Sequence, residues 1–542
     1  MKYRFLPALL LLLLTISPLY SIVASERRAL IISNSYDLES AKLISSELES
    51  LGIANDISKN MLNGYYYYFI LGGPIAKDIG SLSRKYLPRE EAENLIMVRG
   101  YWTFAMSYEN GKYVMVIAGN TRRETYLATE SLIKAGVIRF ITNEMIEIGP
   151  PLSRAEMKDL TRLNFIWEFP PKTKNKRNLS VDIPRPLLDF FRIKPRMNVL
   201  TEFNESKNKQ KLLFTWYLMV RTPHDDPYIR EIVQEIDEIA ERSEISGYKE
   251  IWLLTSFVQY IKYSLSMELS PTGDYPKYPV ETLFDKEGDC EDLSLLLASL
   301  FEEAGYDTLL LIMPYHAAVA VAMPPEWVVG PRVKYRIKEV EGIPTVLVDS
   351  YDLYDKYVNY IIGEDNLPVL EFEFEGKHYF YIETTSAYFK PGKVPYLLQL
   401  LSVHPFPIYI VKIRGVSVPL ILDYILLSRK IGDGYGISVI AKIANVGEAR
   451  SGPLEVLAQI YPGSNLTVGG IDPHLVKAGN AGEKLRYYKT IEGSVPIGEL
   501  NPREVRFVHF QFYTTSPKVA SKISLKLGDT EIDFIRIKPF NP

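Results

Sequence analysis

The chain has 542 residues, 47% of them apolar and 24% charged, which is the balance of a soluble globular protein too long for one core, so two to four domains are expected. Its 62 basic and 66 acidic side chains leave a net charge of -4 and a pI near 6.0, which removes the electrostatic case for a partner such as nucleic acid or an anionic membrane surface. Charged residues are abundant and glutamine is scarce, a composition compatible with a thermophilic source.

Lys2 and Arg4 precede an apolar run from Phe5 to about Ile16, followed by Ser17, Pro18, Ser21 and Ala24. This is the layout of a signal peptide over residues 1–24, with an uncleaved anchor as the alternative, since Phe5 to Ala24 is just long enough to span a bilayer. No second hydrophobic span follows, so a secreted or cell-envelope-associated location is expected, with which the sequons at Asn178, Asn204 and Asn465 are compatible.

Residues 25–145 alternate strands and helices. Ala29–Ser33, Tyr66–Leu71 and Val114–Ala118 read as buried strands. Leu38, Ala41, Ile44 and Leu48 line one helix, which stops at Gly52, and a second runs from Arg122 to about Lys134. An α/β three-layer domain on a small parallel sheet is expected. Gly72-Gly73 and Gly119 end strands, where helix N-termini can bind phosphates, but neither loop matches a dinucleotide or P-loop fingerprint; they read as turn glycines and no cofactor is expected. The segments Gly72–Ala76 and Ala118–Thr125 resemble clostridial cell-wall-binding repeats, which implies association with an envelope polymer or surface protein. Residues 146–210, rich in proline, lysine, arginine and asparagine, read as a linker or extended segment.

Residues 211–404 read as α+β with helices first. Ile229, Ile232, Val233, Ile236 and Ile239 make one amphipathic helix, and a second starts at Tyr248. Residues 405–542 read as all β: Ile437, Val439, Ala441 and Ile443 alternate, as do Leu454, Val456, Ala458 and Ile460, and Gly528-Asp529 is a glycine-first hairpin turn. An immunoglobulin-like sandwich is expected there, as a spacer or adhesion module.

The chemistry concentrates at Gly288-Asp289-Cys290-Glu291-Asp292. Cys290 is the sole cysteine, so in an exported chain its thiol has no intramolecular disulfide partner. Leu293, Leu296, Leu297, Leu300 and Ala304 recur at helical spacing and Gly305 closes the run. Asp289 is then the N-cap and Asp292 a partial capping box, with Asp292 supporting the cap rather than catalysis. Cys290 falls at the first helical position, where the dipole is expected to favour the nucleophilic thiolate. A thiol nucleophile needs a base. Of six histidines, His316 lies in the strand-turn-strand directly after this helix and is the best placed; the alternative is a strand-end histidine without a role. No histidine-carboxylate cluster has ligand spacing, so no metal is expected.

Tyr278-Pro279-Val280-Glu281-Thr282-Leu283, the Gly-Asp-Cys-x-Asp helix start and His316 ahead of alternating small apolar residues together resemble the transglutaminase-like superfamily, in its archaeal and bacterial cysteine-peptidase-like branch, over about residues 220–400. The resemblance implies a papain-like/transglutaminase-like core with Cys290 as nucleophile, His316 as base and a carboxylate on a later strand to orient it. Glu383, in Ile382-Glu383-Thr384-Thr385, fits that third motif where Asp is usual; Asp349 is the rival. With Glu383, residues 323–377 become an insertion that walls or lids the cleft. Gln259 is a candidate oxyanion donor, with a solvent-facing role equally open. The expected function is acyl transfer on amide bonds of a protein or peptide substrate, hydrolysis being favoured over transamidation. A non-catalytic envelope-binding or assembly protein is the alternative.

Overall fold

The computed structural model describes residues 27–146, 149–194, 209–264, 276–314, 316–348, 367–387, 389–394, 406–462, 491–516 and 519–540. It is a multidomain mixed α/β structure with several sheets, in which β-structure predominates.

At the N-terminal end, β1 (Ala29–Ser33), β2 (Asn55–Ser58), β3 (Tyr67–Leu71), β4 (Trp102–Glu109) and β5 (Lys112–Gly119) form one sheet in the order β2-β1-β3-β5-β4. The first four in that order are parallel, while β4 returns antiparallel to β5. Helices α1 (Leu38–Ser50), α4 (Arg122–Lys134) and α5 (Val137–Thr142) cover the face that carries Ile31, Phe69 and Met115. The short α2 (Gly80–Tyr86) and α3 (Arg89–Met97) cover the face that carries Leu30, Tyr68 and Val116. Strands buried on both faces read as continuous apolar runs, which is what the sequence shows. The glycine loops pack on each other: a Cβ on Gly73 would fall 2.9 Å from the Gly119 carbonyl oxygen, and one on Gly119 2.2 Å from the Thr125 nitrogen.

Residues 146–210 are not a linker in their described part. β6 (Leu160–Glu168) and β7 (Lys176–Pro184) make an antiparallel hairpin, and α6 (Arg185–Arg192) follows. Leu163, Phe165, Trp167, Leu179, Val181 and Ile183 alternate inward and join the central core with Leu187 and Phe191. The opposite, solvated positions of the same period-2 pattern carry Arg162, Asn164, Lys176 and Asn178.

The centre is built from α7 (Lys209–Arg221), α8 (Asp226–Arg242), α9 (Tyr248–Gln259), α10 (Pro279–Asp285) and α11 (Cys290–Glu303) against a seven-stranded antiparallel sheet. The strands are β10 (Thr308–Met313), β11 (His316–Ala322), β12 (Tyr335–Val340), β13 (Ile343–Val348), β14 (Glu371–Phe374), β15 (Lys377–Ile382) and β16 (Phe406–Lys412), in the order β12-β13-β16-β10-β11-β15-β14. One expectation changes here: β16 pairs with β10 and β13, so the central unit runs past residue 404, while the described strands of residues 323–377 extend the two edges of the sheet. A two-residue pair, β8 (Lys262–Tyr263) with β9 (Glu287–Gly288), ties the end of α9 to the start of α11.

The C-terminal part has two sheets. β17 (Pro419–Ile431), β18 (Gly434–Asn445) and β21 (Val505–Thr514) form one; β19 (Leu454–Pro462), β20 (Ile491–Gly498), β22 (Val519–Leu527) and β23 (Thr530–Phe540) form the other, in the order β20-β19-β22-β23. Ile437, Val439, Ala441 and Ile443 are buried opposite Val456, Ala458 and Ile460 in one core, the arrangement of a two-sheet sandwich. Its β21 face also packs on the N-terminal sheet: Phe104 stacks on His509 at 4.5 Å, and Gln511 Nε2 donates to Thr103 Oγ1 at 2.7 Å.

Beyond α6, the Lys194 Nζ meets Asp533 Oδ1 on β23 at 2.6 Å, with both side chains 4% exposed, and Asp533 Oδ2 accepts the Ile421 backbone N–H. Removing one member of a buried ion pair strands the other charge. Asp533→Asn is expected to cost about 3–5 kcal/mol, read as loss of urea-unfolding free energy, and Lys194→Met with Asp533→Leu to recover most of it.

Candidate functional site

The site begins at the start of α11. Asp289 Oδ1 accepts the Asp292 backbone N–H at 3.4 Å, Asp292 Oδ2 accepts that of Asp289 at 3.3 Å, and Asp292 Oδ1 accepts Lys277 N–H at 2.7 Å. Asp292 is fully buried in this cap. Gly288 has no room for a side chain, because its Cβ would fall 2.6 Å from that of Asp292. The cap therefore fixes where Cys290 enters the helix, and the Leu293, Leu296, Leu297 and Leu300 side chains anchor the helix in the core.

Three further elements meet this helix start. The β10–β11 hairpin puts His316 at the first position of β11, opposite Met313. β15 pairs with β11 through Val319 and Ile382, which delivers Glu383 at the next residue. Ser294, one turn along α11, shares a hydrogen bond of 3.2 Å with Thr384, tying the Glu-Thr-Thr turn to the cysteine helix. Glu383 is 2% exposed. Its Oε2 lies 3.3 Å from His316 Nε2 and accepts the Tyr381 hydroxyl at 2.7 Å; its Oε1 accepts Thr385 N–H at 2.9 Å and Thr385 Oγ1 at 2.6 Å. Burial alone would push this carboxyl up, but the His316 charge and the donors from His316, Thr385 and Tyr381 outweigh it and hold it at about 2.

The sulfur's surroundings differ from the sequence reading. Cys290 is 6% exposed, and its thiol donates to Glu291 Oε2 at 3.1 Å. Burial, then the carboxylates of Glu291 and Asp289, push the thiol well above its usual range, against the lowering effect of the Ala317 backbone N–H. The helix start was expected to favour the thiolate; in the structure, burial and the two carboxylates act against that effect.

Glu383 thus holds His316, and the Cys290 sulfur lies against the backbone of Ala317, next to His316 in the chain. Gln259 does not offer an oxyanion donor: its Nε2 donates to the backbone oxygens of Glu383 at 2.7 Å and Phe389 at 2.9 Å, so it braces the carboxylate's backbone instead. Nor is it solvent-facing, at 4% exposed. Asp349 lies outside the described residues, as do residues 1–24, Asn204 and Asn465. Tyr381 and Glu291 were missed. Tyr381 had a usable signal, since it stands two residues before Glu383 and shares its strand face. Elsewhere, His224 is buried, its ring held at about 3 by desolvation, with Nε2 at 3.0 Å from the Leu422 oxygen. Among the described residues no cluster of three metal-ligating side chains occurs, and no helix is long and apolar enough to cross a membrane.

No protein-family model matches the chain, and no curated protein does. Among solved structures, red sea bream transglutaminase aligns at 8% identity over 79% of this chain and 72% of its own, with a TM-score of 0.15. A putative ApaA protein from Bordetella pertussis aligns at 13% identity over 22% of this chain and 88% of its own, with a TM-score of 0.14. A Bacteroides uniformis beta-glucuronidase aligns at 10% identity over 31% of this chain and only 19% of its own length, with a TM-score of 0.15. Superpositions this weak carry no argument about fold or activity.

Glu383 generates a pH prediction. Its carboxyl is depressed from 4.5 to about 2, so the stability it contributes is complete above pH 4.5 and is lost as pH falls through about 2. That contribution is on the order of 3 kcal/mol. Acid unfolding followed by circular dichroism should show Glu383→Gln less stable than wild type at pH 7 and nearly equal to it at pH 2.

Proposed function

We propose that this protein is an exported, cysteine-dependent acyl-transfer enzyme acting on amide bonds of proteins or peptides, a peptidase or amidase in preference to a transglutaminase. The observation that carries the reading is the engagement of His316 Nε2 with a buried carboxylate whose two oxygens already hold Tyr381 and Thr385. Such a carboxylate fixes ring orientation and tautomer, as the orienting member of a triad must. It leaves Nδ1 as the nitrogen available to the thiol of Cys290, which sits against the Ala317 amide, next to His316 in the chain. The motif resemblance around Cys290 and His316 points the same way.

In this reading the Sγ–H proton passes to His316 Nδ1, and the sulfur lone pair forms a C–S bond to the amide carbonyl. The protonated imidazole then gives its proton to the departing amine as the C–N bond breaks, leaving a thioester. Water, deprotonated by the same imidazole, attacks that thioester, and the acid product leaves as the thiol is re-formed. Hydrolysis is favoured because it requires no second substrate site. The N-terminal domain and the C-terminal sandwich would present this centre at the cell envelope or outside the cell.

One observation favours a second reading, a non-catalytic envelope-binding or assembly protein: burial and adjacent carboxylates hold the thiol protonated. Alkylation of Cys290 by iodoacetamide across pH, in wild type and His316→Ala, separates the two. The catalytic reading expects a wild-type profile with a limb set by His316, and at least about tenfold slower alkylation near pH 7 in the variant. One simple midpoint at or above about 8.5, unchanged by the substitution, would sink it.

A further inference from the structure

A cavity of about 460 Å³ lies where the N-terminal sheet meets the C-terminal sandwich. On one side it is walled by β4, the edge strand of that sheet, with α3 and α4 beside it; on the other by β17, β18 and β21. The Phe104–His509 stack and the Gln511–Thr103 hydrogen bond join the two units around it. Its volume falls within the ~300–1,000 Å³ of small-molecule sites. Neither Cys290 nor any residue in contact with it lines this space, so a ligand there is independent of the acyl-transfer chemistry.

One wall is a chain of charge that crosses the seam. The Arg429 guanidinium, from β17, stands 4.2 Å from the centre of the Trp102 ring and 4.7 Å from that of Tyr101. Burial lowers its pKa, against the raising effects of Tyr101 and Glu91. Among the described residues no carboxylate meets it directly. Glu91, whose charge reaches it, accepts the Tyr101 hydroxyl at 2.7 Å. Arg429, Tyr101 and Glu91 therefore balance one another without a counter-charge from a ligand.

This chemistry narrows what can enter. Glu90 and Glu91 oppose an anion and Arg429 opposes a cation, and a charge taken out of water without a partner is costly. A neutral molecule that both donates and accepts hydrogen bonds fits: carboxylates accept, the guanidinium donates, and the Asn94 amide does both. Planar groups of this kind can engage two neighbouring hydroxyls at once. Half-buried Trp102 adds apolar ring surface to the same wall. A sugar ring offers the matching combination, with hydroxyls around its rim and C–H groups on its face.

We infer that the seam between the N-terminal α/β unit and the C-terminal sandwich is a binding site for a neutral saccharide, a short stretch of an uncharged glycan chain. Trp102 and Glu91 hold it from one unit and Arg429 from the other, so the sugar bridges the two.

The full-length protein tests this on immobilised hexasaccharides: neutral chains of glucose, mannose, galactose and N-acetylglucosamine, with anionic hexagalacturonate and cationic hexaglucosamine beside them. The best neutral binder is then titrated calorimetrically. At least one neutral chain is expected to bind, and the charged chains at least about tenfold more weakly. Trp102→Ala and Arg429→Met should each weaken that binding by about tenfold or more, while Cys290→Ser leaves it unchanged. Should Trp102→Ala fail to fold, Arg429→Met decides alone, since it keeps the aliphatic stem of a half-buried side chain. The inference is overturned if no neutral chain binds, if a charged chain binds best, or if the folded variants stay within about twofold of wild type. Displacement of the neutral chain by glycylglycine would assign the cavity to a zwitterionic peptide instead. Loss of binding in Cys290→Ser would assign the saccharide to the cysteine site.

Discussion

A carboxylate that has given up its water survives only where donors replace that water, and Glu383 is such a group. Four donors reach its two oxygens, from His316, Tyr381, the Thr385 amide and the Thr385 hydroxyl. The donors come from three separate structural elements. His316 requires the β10–β11 hairpin, Tyr381 requires the pleat of β15, and Thr385 requires the turn that follows it. Gln259 fixes the backbone oxygen of Glu383 itself, and Ser294 fixes the next residue from α11. The carboxylate is therefore the point at which helix, hairpin and strand end must agree. An unmet lone pair there would cost about 1–3 kcal/mol, or more for a charge.

The cysteine helix meets the same demand from the other side. A helix with Leu293, Leu295, Leu296, Leu297 and Leu300 all fully buried cannot shift without opening the core, so its cap cannot shift either. The Asp289–Asp292 box and the missing Cβ of Gly288 then locate Cys290 relative to β11 by steric contact. Positioning and reactivity are separate properties here. The cap places the thiol, while Glu291, one residue on, opposes its ionisation.

Much of this was legible in the chain and some was not, for identifiable reasons. The leucine spacing after Cys290 and the alternation at Ile437–Ile443 are period signals, and secondary structure follows period closely. The β6–β7 hairpin has an equally clean alternation, Leu163-Phe165-Trp167 against Leu179-Val181-Ile183, but proline and lysine runs around it drew the reading toward a linker. β16 was assigned to the wrong unit because sheet membership depends on long-range pairing with β10 and β13, which no local pattern encodes. The helix dipole is a local effect, and burial with the carboxylates of Glu291 and Asp289 acts against it. Whether the Glu291 side chain folds back on the sulfur depends on the surrounding packing. The same holds for Gln259, whose amide turns toward two backbone oxygens rather than to solvent or the thiol.

Glu383 stands where the motif that the sequence resembles usually has Asp, and its hydrogen bonds show what the longer side chain reaches in this chain. Oε1 turns back onto the amide and hydroxyl of Thr385, two residues on, while Oε2 reaches both His316 and Tyr381. An aspartate could also accept an amide two residues on, as in an Asx turn, so what the added methylene supplies is reach toward the ring and the Tyr381 hydroxyl, across a β11–β15 pairing fixed by Val319 and Ile382. Thr385 supplies both donors to Oε1, while the Thr384 hydroxyl is shared with Ser294. The departure at 383 and the composition of the turn after it are thus one feature.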